Sequence, residues 1–331
     1  MTATRRTQKS VLLLLALLLS HPAAAVVWPL SPDTEVVGEL IEDRLRREDT
    51  LLDMARMHNI GQLEMRAANP TLDPWLPRPG ALIIVPQLHV LPEADREGIV
   101  INLSERRLYY FSQAWPDREG TVVSTHPVGV GLLDRATPVT QARVTARLDQ
   151  PAWYPTAEVR AWYQREKNEI LPPVIPPGPE NPLGEHALIL DADGLMIHGT
   201  HRPAGVGMRV SQGCIRLYPE SIAALIRQVP VGTPVQIVDQ PIRLGRRDGT
   251  LYLEVDPAEG DDLDRFLPGQ WPRHPEALWE DLRRRVLERI DGTSGEPDWD
   301  RARAAFDRAD GIPVAIAGAS VTQPATDGEH P

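Results

Sequence analysis

The sequence predicts a mostly β central domain, preceded by a small α+β module and followed by a small α/β segment. Many short apolar or alternating segments follow one another closely between residues 97 and 239, and only one clear amphipathic helix interrupts them. On either side, helical spacing replaces the alternation. With 331 residues, 42% of them hydrophobic, the chain is long enough for two or three domains with buried cores.

The first 25 residues have the three parts of a secretory signal peptide. Arg5, Arg6 and Lys9 form a basic start, and residues 11–19 form an apolar run that is too short to span a bilayer. Residues 23–25 are three alanines, which are typical of a cleavage site. We therefore expect an exported protein that is cleaved near Ala25. A short membrane anchor is the alternative.

The charge of the chain argues against one class of partner. The 35 basic and 46 acidic residues give a net charge of −11, and no long basic stripe occurs in the sequence. Proteins that bind nucleic acid need basic surfaces that neutralise phosphates. The sequence therefore predicts no nucleic-acid partner.

Residues 42–88 predict the small α+β module. Asp49 or Thr50 can cap a helix over residues 51–57, a second short helix covers 62–68, and residues 81–85 form an apolar strand. The segments "NIGQLEMRAANP" and "PRPGALIIVP" resemble a LysM module, a small glycan-binding unit, although the first strand is unusually charged. Binding to wall glycan and a purely structural role as a spacer both fit this pattern.

Residues 97–239 predict the mixed β-sheet or sandwich domain. Its helix starts at Pro219, which is favourable in the first turn, and ends before Pro230. Apolar residues at helical spacing give this helix one buried face. The strand candidates are 99–103, 108–111, 121–124, 126–130, 142–148, 187–190, 195–198 and 235–238.

Residues 171–184 form a long loop with six prolines inside this domain. Long loops inside compact domains are usually lids or binding loops. A surface excursion without a role is the alternative.

The C-terminal extension, residues 240–331, predicts a small α/β segment. A strand is expected at 251–255 and a charged amphipathic helix at 275–290. From about Gly318 the composition predicts disorder.

Cys214 is the only cysteine of the chain. A single unpaired thiol in an exported protein indicates a use for the thiol, and an inert buried cysteine is the alternative. His198 lies 16 residues earlier, at the end of a predicted strand, and can remove the thiol proton. Gly213 lets the backbone approach a reacting carbonyl. The N–H groups of Gly213 and Cys214 therefore form a candidate oxyanion hole.

The stretch from 195 to 222 carries the most specific pattern. His198-Gly199-Thr200 and Ser211-Gln212-Gly213-Cys214-Ile215-Arg216 resemble the strand histidine and the S-x-G-C-x-R motif of the L,D-transpeptidase (YkuD) family. The resemblance extends over roughly 97–239. Together with the LysM-like module and the C-terminal extension, it points to the periplasmic subgroup typified by ErfK and YbiS. Gln212 stands where many relatives have a histidine, which strengthens the case for His198 as the base.

This resemblance implies a reaction and roles for particular residues. Cys214 would attack a tetrapeptide stem of peptidoglycan, release D-Ala and form a thioester, with His198 as base and the Gly199 carbonyl orienting the imidazole. The acyl group would pass to an amine, either of another stem (a 3–3 cross-link) or of an outer-membrane lipoprotein lysine. No cofactor and no metal are needed. A carbapenem is expected to acylate the same thiol.

Basic and polar residues near the nucleophile are candidates for substrate binding. Arg216 matches a basic residue that supports substrate binding in the family, and Arg209 lies in the same stretch. Guanidinium groups bind the carboxylates of stem peptides well because their planar fork matches carboxylate geometry. Ser211 and Thr200 complete the predicted substrate-binding set.

Other functions remain open from the sequence. A thiol hydrolase would use the same site with water as acceptor, and a non-catalytic wall-binding protein would use the LysM-like part. A zinc-dependent hydrolase would need His198, His201 and Cys214 as ligands. Residues three apart along a strand point to opposite faces, which disfavours that ligand set.

Overall fold

A computed structural model of the chain describes residues 26–113, 120–256, 275–290 and 295–318. The predicted signal peptide and the predicted disordered tail beyond Gly318 lie outside the described residues. Within the described ranges, none of the helices has both the length and the apolarity needed to cross a membrane.

The described residues form eighteen strands, six α-helices and two short 3-10 helices, Leu133–Arg135 and Pro203–Gly205. The strands are β1 (Val26–Pro29), β2 (Val36–Val37), β3 (Leu40–Arg44), β4 (Leu82–Pro86), β5 (His89–Val90), β6 (Gly98–Asn102), β7 (Arg107–Ser112), β8 (Val122–Pro127), β9 (Val130–Gly131), β10 (Thr140–Asp149), β11 (His186–Leu190), β12 (Met196–His198), β13 (Arg209–Ser211), β14 (Ile215–Arg216), β15 (Pro234–Val238), β16 (Ile242–Arg247), β17 (Thr250–Val255) and β18 (Val314–Ala317). The helices are α1 (Leu51–Met57), α2 (Gln62–Ala68), α3 (Ala157–Lys167), α4 (Pro219–Gln228), α5 (Pro275–Arg289) and α6 (Trp299–Arg308).

The centre of the fold is a mixed sheet with the strand order β1-β8-β7-β6-β15-β10-β11-β12-β14. Neighbouring strands are antiparallel except for β6 with β15 and β12 with β14, which are parallel. A separate short parallel pair joins β9 to β13, just before the nucleophile candidate. The mostly β domain with a mixed sheet that the sequence predicts is therefore confirmed.

Helix α4 covers the sheet as the sequence predicts. Pro219 occupies its first turn, where no backbone N–H is needed, and Pro230 follows two residues after its last residue. Ile222, Leu225 and Ile226 lie on one face of the helix and are buried in the main core with the strands. This packing fixes the segment that directly follows β14.

Helix α3, which the sequence does not predict, precedes the proline-rich loop. The Thr156 hydroxyl accepts from the Val159 N–H at its start, and Asn168 ends it in the left-handed conformation. Only Trp162 of this helix is buried, so the segment lacks the apolar stripe by which a surface helix is recognised. Backbone hydrogen bonds between Trp153 and Ile175 join the segment before α3 to the loop.

The N-terminal unit consists of the antiparallel pair β3–β4 with α1 and α2 between the two strands in sequence. A capping box formed by Thr50 and Asp53 begins α1. The unit packs directly on the central domain. Arg56 makes a bidentate ion pair with Glu220, with N–O distances of 2.9 and 3.0 Å. The Gln62 N–H donates to the Val206 carbonyl at 3.1 Å.

Gly207 is required at the closest point of this contact. Its φ is +85°, and a Cβ atom there would lie 2.4 Å from the Cα of Gly61. Any side chain would therefore force the N-terminal unit away from the loop that leads to Cys214.

The C-terminal residues form a three-stranded sheet, β16-β17-β18, with α5 and α6 on it. Strand β17 and helix α5 agree with the predictions for 251–255 and 275–290. The sequence analysis did not identify β16, β18 or α6. Aromatic and aliphatic side chains of these elements, including Trp279 and Phe306, form a separate hydrophobic core.

A buried ionic cluster joins the C-terminal sheet to the central domain and to β5. Arg243 of β16 lies 2.6 Å from both Glu254 and Asp256 and 3.3 Å from Glu105. His89 lies 3.5 Å from Glu105. Burial alone would raise the pKa of Glu105, but Arg243 and His89 lower that pKa to about 2.

Candidate active site

Strands β12 and β14 place His198 beside Arg216. In the parallel ladder Ile197 pairs with Ile215 and His198 pairs with Arg216, so His198 and Arg216 share a face of the sheet, while Ile197 and Ile215 point into the core. Cys214 lies in the bend just before β14. Arg216 is close enough to both His198 and Cys214 for its charge to lower the pKa of each.

His198 is only 4% exposed, and backbone groups of Gly199 and Leu183 contact its ring. The Nδ1 atom lies 2.6 Å from the carbonyl oxygen of Gly199. A carbonyl can only accept, so Nδ1 carries the proton and Nε2 is left as the basic atom. Burial and the nearby Arg216 lower the pKa of His198 to about 3, although hydrogen bonds with backbone groups of Gly199 and Leu183 act in the opposite direction. The imidazole is therefore neutral at ordinary pH.

Cys214 is half-buried, and its thiol donates to the carbonyl oxygen of Gly194 at 3.4 Å. Burial raises the pKa of the thiol, while the Met196 backbone and the charge of Arg216 lower it. The resting pair is consequently a neutral thiol and a neutral imidazole. The thiol proton must leave the Gly194 carbonyl before His198 can take it.

The turn before Cys214 is held by the Ser211 side chain. Its hydroxyl donates to the Cys214 carbonyl at 2.5 Å and accepts from the Gly213 N–H at 3.2 Å. Gly213 has a φ of +106°, a conformation that L side chains rarely adopt, which explains the glycine at this position. In this conformation the Gly213 N–H is occupied, whereas the Cys214 N–H makes no hydrogen bond to any described residue. The role of Gly213 in an oxyanion hole stays a prediction.

Arg216 lies beside the nucleophile with an unusual lack of partners. Its guanidinium makes no hydrogen bond or ion pair with any residue that the structure describes, and its Nε is buried. Burial lowers the pKa of Arg216, while the nearby Tyr163 and Cys214 raise it. A largely buried guanidinium without a carboxylate is suited to receive an anion from outside the chain.

The two other predicted substrate-binding residues lie deeper. Arg209 is 5% exposed, and its guanidinium donates to the Gly131 carbonyl at 3.1 Å, which ties β13 to β9. Thr200 is buried, and its hydroxyl accepts from the Arg202 N–H at 2.9 Å. In this conformation both side chains make contacts within the fold. Their contacts with substrate stay predictions.

The ligand set of the zinc alternative is not assembled. His198, His201 and Cys214 are all described, yet they do not converge as a metal-ligating group. Instead, a metal-like cluster consists of His89, Glu105 and Glu254, whose ligand atoms lie within 4.8 Å of one another. The Arg243 guanidinium contacts both carboxylates of that cluster, so the place a metal ion would take is next to a cation of the chain.

The structure adds residues that the sequence analysis missed. Thr137, in the loop after β9, donates from its hydroxyl to the Gly213 carbonyl at 2.8 Å. Gly194, Met196 and Leu183 act through backbone groups on Cys214 and His198. Backbone contacts leave no signature in residue type. No signal in the sequence marked Thr137, because its burial is visible only in the folded chain.

Comparisons with known proteins agree with this site. Residues 96–237 match the family model YkuD, described as the L,D-transpeptidase catalytic domain. Three proteins of Escherichia coli strain K12 are similar along most of their length. They are "Probable L,D-transpeptidase YcfS" (40% identity over 256 residues, 75% of this chain and 78% of the relative), "Probable L,D-transpeptidase ErfK/SrfK" (37% over 311 residues, 91% and 94%) and "Probable L,D-transpeptidase YbiS" (40% over 238 residues, 70% and 76%).

The match includes the segment that carries Cys214, His198 and Arg216, and the similarity to ErfK/SrfK extends over nearly the whole of both chains. On this basis the chain belongs to the L,D-transpeptidase (YkuD) family, in the subgroup of ErfK and YbiS.

Proposed function

We propose that this protein is a peptidoglycan L,D-transpeptidase that works through a cysteine thioester. The observation that carries the proposal is the pairing of His198 with Arg216 across β12 and β14, directly after Cys214, whose thiol pKa the charge of Arg216 lowers. The family membership supplies the reaction class. The geometry supports the division of roles among the three residues.

In the first half-reaction Cys214 Sγ attacks the carbonyl before the terminal D-Ala of a tetrapeptide stem. The neutral His198 takes the thiol proton through Nε2 as the C–S bond forms. The same proton then goes to the nitrogen of the departing D-Ala as the C–N bond breaks. A thioester remains on Cys214, and neither ATP nor a cofactor is consumed.

In the second half-reaction an amine attacks the thioester and His198 receives its proton. The new amide forms, and the proton returns to the Cys214 thiolate as it leaves. The Met196 backbone and the charge of Arg216 stabilise that thiolate, because both lower the pKa of the thiol. The proposed acceptors are the amine of another stem and the lysine of an outer-membrane lipoprotein.

Arg216 is proposed to bind a carboxylate of the stem peptide. The absence of an internal anionic partner and the closeness to Cys214 support this role. A bound carboxylate would restore the interactions that the guanidinium lost on leaving water. The stem would thereby be held with its scissile carbonyl near the thiol.

The N-terminal unit is proposed to be a LysM-like module that contacts wall glycan. Its order of strand, two helices and strand supports this assignment. Trp75 is 57% exposed and Leu76 is 84% exposed, both in the loop between α2 and β4. An exposed aromatic ring offers a face for stacking against a sugar. A Trp75→Ala variant should bind purified wall sacculi more weakly than a Met57→Ala variant, which alters another exposed apolar residue of the same unit.

Export to the periplasm is proposed from the first 25 residues. A periplasmic location would place the site next to its substrate. Fractionation of cells that produce the full chain would test it: recovery of an uncleaved protein in the cytoplasm would contradict the proposal.

The reaction is tested by the composition of the wall. Muropeptides from cells that lack the protein should gain new products when the wild-type chain is supplied, and the Cys214→Ala variant should supply none. A 3–3 dimer, a lipoprotein-linked muropeptide and a free tripeptide distinguish a stem amine, a lysine and water as acceptor. The same products from Cys214→Ala would contradict the proposal.

A further inference from the structure

The Gly213–Cys214 peptide is held by two hydroxyl groups. The Thr137 hydroxyl donates to the Gly213 carbonyl at 2.8 Å and accepts from the Gly131 N–H at 2.9 Å. The Ser211 hydroxyl accepts from the Gly213 N–H and donates to the Cys214 carbonyl. Of the backbone polar groups of Gly213 and Cys214, the Cys214 N–H alone makes no hydrogen bond to a described residue.

The hydrogen bond from Thr137 to the Gly213 carbonyl also restricts the direction of the Cys214 N–H. The Gly213 carbonyl and the Cys214 N–H belong to the same planar trans peptide unit, so they point in opposite directions. A hydroxyl that fixes the carbonyl therefore also fixes the direction of the N–H. Gly213 has no Cβ, and without this contact the peptide could rotate at little steric cost.

We propose that Thr137 is a positioning residue for the oxyanion donor of this enzyme, and that the donor is the backbone N–H of Cys214. This inference rests on the proposed acyl transfer to Cys214. The Thr137 hydroxyl makes its hydrogen bonds to the backbone of Gly131 and Gly213 and not to the thiol. Its hydroxyl holds the peptide so that the Cys214 N–H faces the developing negative charge.

Two further observations fit a positioning role. Thr137 is 4% exposed, so its hydroxyl is shielded from competing water. Its loop also reaches helix α3, because Arg135 forms an ion pair with Glu158 at 2.9 Å. The loop that contains Thr137 is thus joined to the Gly213–Cys214 peptide through Thr137 and to α3 through Arg135.

The test compares two reactions of the same thiol. Acylation by a carbapenem or a tetrapeptide donor passes through a tetrahedral oxyanion, whereas alkylation by iodoacetamide does not. Thr137→Val removes the hydroxyl and keeps the shape of the side chain. We expect it to slow acylation by about 10²–10³, mainly in kcat, which is the usual effect of losing one oxyanion donor.

Alkylation of Thr137→Val should stay within about twofold of wild type, because displacement of iodide develops no oxyanion. Thr137→Ser retains the hydroxyl and should recover most of the acylation rate. The matched control is Thr233→Val, a residue that is also buried and whose hydroxyl also donates to a backbone carbonyl, that of Pro230 at 2.8 Å, away from the nucleophile turn. This control should leave both reactions unchanged.

Several outcomes would overturn the inference. Equal losses of acylation and alkylation in Thr137→Val would assign Thr137 a merely structural role, and an unchanged acylation rate would remove its role altogether. If Thr137→Val does not fold, Thr137→Ala against Thr137→Ser provides the same comparison. A wild-type protein that is alkylated but never acylated would instead contradict the proposed function.

Discussion

The Nδ1 atom of His198 lies 2.6 Å from the carbonyl oxygen of the very next residue, Gly199. This contact fixes the tautomer of the imidazole and leaves Nε2 as the proton acceptor. Since burial lowers the pKa of His198 to about 3, the base is neutral throughout the range in which the protein would work. These pKa shifts favour a neutral pair over a preformed thiolate–imidazolium ion pair.

The two histidines of this segment should differ sharply in their effect on acylation. His198→Ala removes the proton acceptor and should slow acylation by about 10²–10⁴, the usual contribution of a general base. His201→Ala should have little effect, because only His198 lies at the position of the family's base, in the ladder beside Arg216. Stopped-flow acylation rates, with thermal midpoints to confirm folding, would measure both. Equal losses in the two variants would contradict the assignment.

The neutral resting pair predicts a particular pH dependence of alkylation. Iodoacetamide reacts with the thiolate, and burial raises the pKa of Cys214, so the thiolate appears only at alkaline pH. The alkylation rate should be low at neutral pH and rise with a midpoint above that of a free thiol, about 8.5. Rates between pH 5 and 10 would test this. Fast alkylation at pH 6 would indicate an ion pair and contradict the account.

Arg216→Ala should weaken the use of tetrapeptide donors more than it changes the reactivity of the thiol. A charge-assisted hydrogen bond contributes about 1.5–3 kcal/mol, which corresponds to roughly 10- to 150-fold in kcat/KM. Arg216→Lys should recover only part of this, since an ammonium lacks the planar fork. The alkylation rate is the control. Proportional losses of both reactions would mean that Arg216 supports Cys214 and does not bind substrate.

The buried cluster around Arg243 should matter for stability. Arg243→Met leaves Glu105, Glu254 and Asp256 buried without a fully compensating cation, which costs about 3–5 kcal/mol. Arg284→Met is the matched control, since Arg284 pairs with Asp281 and Glu288 on the exposed surface of α5. Its thermal midpoint should stay close to wild type. Similar midpoints for the two variants would show that the cluster does not stabilise the fold.

The sequence predicted β6, β7, β10, β11, β12 and β15 because they alternate or run apolar, and α4 because its prolines and apolar face mark it. The short strands β1, β9, β13 and β14 were not predicted, and one strand, β8, stands where two were expected at 121–124 and 126–130. The prediction failed where the local pattern carries no such signal. Helix α3 buries only Trp162, so its helical period is not visible. Strand β18 and helix α6 gain their stability from packing in the C-terminal core, which is a property of the folded chain and not of either segment.

The candidate site shows the same division. Cys214, His198 and Arg216 were found because their residue types carry chemistry at a recognisable spacing. The Arg243 cluster was missed because its members come from distant parts of the chain, with Glu105 and Arg243 far apart in sequence. Arg209 was predicted to bind substrate because it is a charged residue near the motif, but its side chain is buried and donates to the Gly131 carbonyl. Residue type did not indicate which arginine remains without an internal partner.

The central claim is a thioester on Cys214, and intact-mass spectrometry after rapid mixing with a tetrapeptide donor tests it most directly. The wild-type protein should gain the mass of the donor minus D-Ala, with one equivalent of free D-Ala released in the same phase. Cys214→Ala, folded to the same thermal midpoint, should gain no mass. Release of D-Ala by Cys214→Ala, or turnover by the wild type with no adduct under conditions that trap thioesters, would contradict the account.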